Sequence, residues 1–396
     1  MHLRLWALCL GNFVIGTGAL IVPGMLPGIA EGLDVSVPVA GQLITAFAIA
    51  VCVGAPLLAG ATSRFDRRAL LAATLGLYFA GHLAAAFVSS FGAMVAVRLL
   101  SSTGAALFTA QAAAVAALLV PPEQRGRAIA FVFLGWSVAS VAGIPLGAYV
   151  GATLGWRAGF LLVAAGAAIT AAGVWLLIPA GIHVKAADAR MWRAILGNPA
   201  VLALLAATAL SMGATFSLFS YFVPAAQAFV AASPTMVSVL LAAFGAAGLA
   251  GNTAAARYID RFGPGSVFVL CAVITALAHL LWPLTPGSVA FLFAVALASG
   301  AGVFASNGAQ QARLVAISPS QASVSVALNT SAVFLGQAGG SAATGLLIAH
   351  LPGTQGFAAV PWISVPLLVL AIALSLFASL RMRAQLRSAH VQGRPA

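Results

Sequence analysis

The sequence predicts an all-α membrane protein, with twelve transmembrane helices in two pseudo-symmetric six-helix halves. Three observations lead there. Of 396 residues, 62% are hydrophobic and 6% charged, whereas about a quarter of a soluble domain is charged. The chain divides into twelve apolar runs, each near the roughly 20 residues that a helix needs to cross the hydrocarbon. Local patterns also recur at a spacing of 197 residues, half the chain.

The runs lie at about residues 5–30, 38–60, 69–90, 92–119, 127–152, 157–179, 199–225, 235–257, 265–285, 288–314, 322–350 and 358–380. The first follows MHLRLW, contains Asn12, Pro23 and Pro27, and lacks a small-x-small cleavage site. It reads as a retained span rather than a signal peptide. The least apolar connection carries His183, Lys185, Asp188, Arg190 and Arg193. It divides the chain into an N-terminal six-span half (1–180), a cytoplasmic linker (181–197) and a C-terminal half with a short basic tail (198–396). Met191, Trp192 and Ile195 would lay the linker on the membrane surface.

The net charge of +12 is not a nucleic-acid footprint, because the basic residues sit in short gaps between apolar runs. Counting Arg4, Arg64, Arg67, Arg68, Arg125, Arg127, Lys185, Arg190, Arg193, Arg257, Arg261, Arg313, Arg381, Arg383, Arg387 and Arg394, 16 of the 18 lie on one side. Arg157 is the exception in a loop, and Arg98 lies inside a span. That bias predicts a multi-pass protein of a plasma membrane, such as a bacterial inner membrane, with both termini cytoplasmic. Cys9, Cys52 and Cys271 are isolated within apolar runs, which suggests neither a disulfide framework nor a metal site. No metal or cofactor is expected.

Span 5 carries a small residue at every fourth position: Gly135, Ala139, Gly143, Gly147 and Gly151. Such a stripe lets a neighbouring backbone approach closely. Pro145 lacks an N–H and should bend the helix by disturbing the bond to the Val141 carbonyl. The stripe is expected to face the other half. Ala139 and Gly143 recur as Gly336 and Gly340 in span 11. Pro122 recurs as Pro319, and Ser63-Arg64-Phe65-Asp66 as Asp260-Arg261-Phe262-Gly263. Six spans return the chain to its starting side, so the two halves should be parallel repeats.

A 6+6 chain with these loops resembles the major facilitator superfamily over essentially its whole length. It is most similar to the twelve-span drug:proton antiporter branch, near the arabinose-efflux and chloramphenicol-efflux permeases. GALIVPGMLPGIAEGLDVS resembles the end of that family's first span. ATSRFDRRALL, with Arg67 and Arg68, resembles its loop after span 2, usually Gly-x-x-x-Asp-Arg-x-Gly-Arg-Arg. Here Ala59, Ser63 and Asp66 stand for Gly, Asp and Gly. The family's Asp helps hold the halves together, so Ser63 puts that lock in doubt, whereas the second copy keeps Asp260. Arg98 before SSTGAA resembles the basic motif of span 4. Gly143–Gly147 reads GIPLG rather than Gly-Pro-x-x-Gly-Gly. The resemblance implies the major facilitator fold and antiport.

Arg98 is the sharpest single residue. A cation inside a span costs about 2.5–3.5 kcal/mol on insertion scales, so it marks a site or a packed anchor. Its repeat mate is Val295. The guanidinium is expected to point into the central cavity, with Gln42 or Asn12 as partner. All six acidic residues (Glu31, Asp34, Asp66, Glu123, Asp188, Asp260) fall at span ends or in loops. The remaining candidates for carrying a proton are Glu31, Asp34, and the imidazoles of His82 and His279. Cavity candidates are Asn12, Gln42, Gln111 and Trp136 in the first half, and Tyr221, Asn307, Gln310, Asn329 and Gln337 in the second. Thr17, Ser137, Ser140, Ser217 and Gln311 are further polar residues of those spans. Each could equally be glue between helices. A neutral, amide-rich set with Phe216, Phe219 and Phe222 nearby suits a neutral or amphipathic small molecule.

An enzyme needs a catalytic constellation, and the sequence has no metal-ligand cluster, buried carboxylate pair or positioned nucleophile and base. No phosphate-cradling glycine loop occurs. The expectation is a monomeric secondary transporter whose partners are a small-molecule substrate, protons and the lipid bilayer, with efflux driven by protons. A facilitator without proton coupling is the alternative within transport, and a non-transporting sensor the alternative class.

Overall fold

The computed structural model describes residues 3–62, 64–183, 193, 195–317, 322–351 and 353–391. Among them are twelve helices long and apolar enough to cross a membrane: Leu3–Gly32, Val37–Leu58, Arg67–Ala85, Phe91–Leu118, Arg125–Thr153, Trp156–Leu177, Pro199–Val230, Pro234–Phe262, Pro264–Leu284, Val289–Ile317, Val324–His350 and Gln355–Met382. These are spans 1 to 12. The described residues contain no strand.

Five of the spans are started by a polar side chain. Ser36, Ser90 and Ser233 accept from the N–H three residues on, at the heads of spans 2, 4 and 8. Asp66 does the same for span 3, and Asn198 accepts from the N–H two residues on at the head of span 7. A side-chain oxygen there satisfies an N–H that the helix itself cannot. Spans 8 and 9 meet at Gly263, whose φ of 76° favours a residue without Cβ.

Two spans depart from the α-helix. Span 5 holds a π turn at Ala139–Gly143, where the Ile144 N–H reaches back five residues to the Ala139 carbonyl. Pro145, expected to bend the helix, instead follows this widened turn, which absorbs the missing bond locally. Span 7 stops at Phe219 and resumes at Phe222. The apolar run at 199–225 predicts one unbroken helix there. Pro224 explains the break, because it cannot donate to the Ser220 carbonyl four residues back.

The two halves are built alike. Span 1 is packed by spans 2, 4, 5 and 6, and span 7 by spans 11 and 12. Between the halves, span 2 lies along span 11 and span 5 against span 8. Ser63, Lys185, Asp188, Arg190, Met191, Trp192, Pro319 and Arg394 lie outside the described residues, with most of the 181–197 segment. Ile195 is buried with Val201, Leu204 and Leu314 at the base of the second half, so it does not lie on the membrane surface as expected.

Candidate functional site

The glycine stripe faces a different partner from the one expected. A Cβ on Gly135 would lie 2.8 Å from the Phe13 nitrogen, and one on Gly143 3.0 Å from Thr17 Cβ. Cβ atoms on Gly147 and Gly151 would meet Ile21 and Met25. All four contacts are with span 1, in the same half. The expectation that the stripe faces the other half is therefore wrong. The second half repeats the arrangement: a Cβ on Gly336 would lie 2.8 Å from the Gly213 nitrogen, and one on Gly340 2.8 Å from the Gly213 carbonyl carbon. Gly16 opposes Ala139 as Gly213 opposes Gly336, each residue displaced by 197. The stripes hold each half together.

The opposite face of the π turn meets the other half. A Cβ on Gly245 of span 8 would lie 2.5 Å from the Ser140 carbonyl carbon. Ser238 of span 8 donates to the Pro145 carbonyl at 3.0 Å. Across the second seam, Ser341 of span 11 donates to the Gly41 carbonyl at 3.5 Å. Tyr221, at the break in span 7, is 1% exposed. Its ring end fills the space between Gly41 of span 2 and Gly345 of span 11: a Cβ on Gly41 would lie 2.6 Å from Tyr221 Cζ, and one on Gly345 3.0 Å from Gln42 Nε2. These contacts close the distal end of the molecule, opposite the end where span 1 begins and span 12 finishes.

Toward that terminal end the halves part. Contact between spans 5 and 8 runs through the π turn and falls away beyond it, along Arg125–Val138. Ser331 still donates to the Cys52 carbonyl at 2.9 Å, but a Cβ on Gly60 would meet nothing within 4 Å. Trp136, Asn307 and Gln311 are half-buried. Trp136 Nε1 donates to Thr109 Oγ1 at 3.1 Å. Asn329 bridges Thr208 and Asn307, both at 3.1 Å. Asn12 donates to the Val132 carbonyl at 3.0 Å, and Gln111 is buried with Oε1 unpartnered. Gln337 is also buried, its Nε2 unpartnered. Gln310 is fully buried between the Leu204 carbonyl and Arg313, so its amide is taken up by helix packing rather than offered to a cavity.

Arg98 is 1% exposed. Its Nη1 donates to the Gly18 carbonyl of span 1 at 3.2 Å, and its Cζ lies 4.3 Å above the Phe47 ring centroid. Phe47 in turn meets Phe334 of the other half, centroids 6.4 Å apart. The guanidinium therefore faces inward but is roofed by an aromatic ring on the seam. The partners named from the sequence are not its partners: Gln42 donates to the Pro38 carbonyl at 3.5 Å, and Asn12 to Val132. Depth along a span gave no rotation about it, which is why those two were misplaced.

The basic loop of the first half grips the segment after span 6. Asp66 accepts from the Gly181 N–H at 2.5 Å, and the Arg67 N–H donates to the Ile182 carbonyl at 2.9 Å. Burial pushes the Asp66 carboxyl up, but the N–H groups of Ala69, Gly181, Arg68 and Ile182 outweigh it and hold it below the ordinary value. Arg68 stacks over Trp175 at 4.4 Å. Arg64, Asp260 and Arg261 are exposed. Sequence reasoning missed Arg313, treated as a loop charge. It is 3% exposed and bonds Gln310, Ser375 and Ser379, tying span 10 to span 12. It also missed the seam residues Ser238 and Ser341, although Gly41 and Ser238 are themselves 197 apart.

A family model described as Major Facilitator Superfamily matches residues 8–231 and 226–395. The inner membrane transport protein YdhP of Escherichia coli (strain K12) is 32% identical over 349 residues, 87% of this chain and 88% of that one. The chloramphenicol resistance protein of Streptomyces lividans is 34% identical over 364 residues, 90% of this chain and 92% of that one. Among solved structures, a bacterial homolog of the human lysosomal transporter Spinster, in an inward-facing and unoccupied conformation, superposes with a TM-score of 0.79 at 19% identity. It covers 95% of this chain and 96% of that one.

Proposed function

The chain belongs to the Major Facilitator Superfamily of transporters, and from that premise we propose that it exports a small neutral or amphipathic molecule in exchange for protons, by alternating access. The observation that carries this is the sealed distal end set against the parted terminal end, the geometry of one half-cycle of such a transporter. The terminal end is the cytoplasmic one, since 16 of 18 basic residues fall on that side. Residues 1–180 and 198–396 rock as two bodies joined by 181–197, within a monomer. The stripes support this, because they bind each half internally and leave the seams to separate contacts, those of Ser238, Ser341, Tyr221 and the Gly245 backbone.

The cavity reads its substrate with Gln111, Trp136, Asn307 and Gln337, which offer amides and an indole but no charge. Two relatives named for transport and for chloramphenicol resistance support export of a neutral drug-like solute. Non-coupled facilitation is the second reading. It is favoured by the position of the described acidic residues, all of them in loops or at span ends. The experiment is uptake into everted vesicles of chloramphenicol, arabinose and uridine, with and without an imposed pH gradient. Gradient-dependent accumulation of one supports antiport, and equilibration alone supports the facilitator.

A further inference from the structure

We propose that the proton of this exchange is carried by the His82 imidazole, through Nε2, in competition with Arg98 for the Gly18 carbonyl. The proposal rests on the proton-coupled reading above. His82 is 1% exposed, near the distal end of span 3. Its Nδ1 lies 2.9 Å from the Tyr78 carbonyl. A carbonyl oxygen can only accept, so Nδ1 carries a hydrogen whether the ring is neutral or charged. In the neutral ring, therefore, Nε2 holds the lone pair. That nitrogen is buried with no hydrogen-bond partner.

Nε2 is aimed at the backbone of span 1, where a Cβ on Gly18 would lie 2.6 Å from it. The Gly18 carbonyl accepts from Arg98 Nη1, and three residues earlier the Ile15 carbonyl accepts from the Tyr78 hydroxyl at 2.9 Å. Span 1 is thus held by one tyrosine of span 3 and one arginine of span 4, with the imidazole between them. The groups facing the ring are Tyr78 from its own span, Arg98 from span 4, Gly18 from span 1, and Phe160 from span 6 at a ring separation of 5.9 Å. Arg98 is the one charged group among them. The repeat mate, His279, is also buried, but both of its nitrogens are unpartnered and no arginine accompanies it, since Val295 stands in the place of Arg98.

The step balances simply. A hydronium ion gives its proton to the Nε2 lone pair; one O–H bond breaks, one N–H bond forms, and water leaves. The new N–H needs an acceptor, and the Gly18 carbonyl is the one beside it. Two cations buried together without a carboxylate repel strongly, because the interior screens them poorly. Protonation thus drives Arg98 off span 1, and return of Arg98 to Gly18 expels the proton. The structure holds the second state, with Arg98 docked and Nε2 bare, at the conformation open to the cytoplasmic end.

The test uses the full chain in proteoliposomes with the three probes named above. His82→Gln should lose at least about ten-fold of gradient-driven accumulation while downhill exchange stays within about two-fold, the split expected when coupling rather than binding is removed. Equal gradient-driven accumulation by wild type and His82→Gln would overturn the assignment and leave proton coupling standing. A wild-type protein that the gradient does not drive with any probe would sink proton coupling, and the assignment with it. Should His82→Gln fail to fold, ¹⁵N-histidine spectra of wild type and Arg98→Gln give the answer directly, with His279→Gln separating the two buried rings. The expected result is a neutral Nδ1–H ring in wild type that binds protons at least about ten-fold more tightly once Arg98 is removed. A ring that never titrates in Arg98→Gln refutes the proposal.

Discussion

Gly41→Ala tests the distal closure at one atom. The added Cβ would sit 2.6 Å from Tyr221 Cζ and 2.9 Å from Cε1, and closer still to the hydroxyl. The phenol is enclosed by spans 2 and 11 and is 1% exposed, so it cannot swing aside without leaving the seam. Overpacking of this kind costs about 1–3 kcal/mol. The cost falls only on the conformation in which Tyr221 is wedged there. A penalty of that size on one of two states shifts their ratio about 5- to 150-fold. The assay places a cysteine at Ser341, which is fully buried and bonded to Gly41, in a chain lacking Cys9, Cys52 and Cys271. Labelling by an impermeant maleimide from the distal face should accelerate by that factor in Gly41→Ala. Replacing Tyr221 by Leu in the same chain should remove the difference that the alanine makes. An unchanged labelling rate in a folded Gly41→Ala protein would show that the wedge does not hold this end shut.

Four other outcomes follow from the same geometry. Gly143→Leu should impair folding of the first half, seen as lost membrane insertion or a lowered melting temperature, because its side chain would enter span 1 at Thr17; normal stability with lost transport would restore the view that the stripe faces the seam. Arg98→Lys should cut gradient-driven transport about ten-fold despite keeping the charge, since an ammonium cannot lie flat on Phe47 while bonding Gly18; wild-type rates would make Arg98 a simple counter-charge. Arg313→Met should destabilise the second half by about 2 kcal/mol, as hydrogen bonds to a buried charged group are lost; an unchanged melting curve would mean Ser375 and Ser379 pair equally well without it. The grip of Asp66 on Gly181 should hold from neutral pH down through the ordinary carboxylate range and be lost only as the carboxyl is protonated below it, because its folded value is depressed; protease nicking after Ile182 should rise there in wild type and already at neutral pH in Asp66→Asn.

Twelve spans and a two-fold internal repeat were legible in the sequence because both are written in one dimension, as run length and as offset. The halves superimpose at 197 in the contacts of Gly16 with Ala139 and of Gly213 with Gly336. What a one-dimensional reading lacks is rotation about each helix axis. The stripe of span 5 was legible as a stripe, but which neighbour it faced was not, because small residues mark any close approach. The same ambiguity placed Gln310 in a cavity when its amide is spent on Leu204 and Arg313. The break in span 7 had a signal that went unread, Pro224 acting on a carbonyl four residues earlier. The π turn had only Pro145, which permits several local repairs.

The π turn has a consequence for how the two seams come apart. It inserts one residue into span 5 that span 11 does not contain. Gly41 meets Ser341, and adding 197 to Gly41 gives Ser238; yet Ser238 meets Pro145 rather than Ile144, the residue that would pair with Ser341. One seam is thereby a close abutment of backbone on backbone at Gly245 and Ser140, with the Ser238 hydroxyl bonded to Pro145 beside it. The other is plugged by a single removable phenol. Two rigid bodies joined by such unequal edges do not separate like parallel plates. In the proposed exchange they would swing as a door does, with the abutment as the hinge stile and Tyr221 as the bolt.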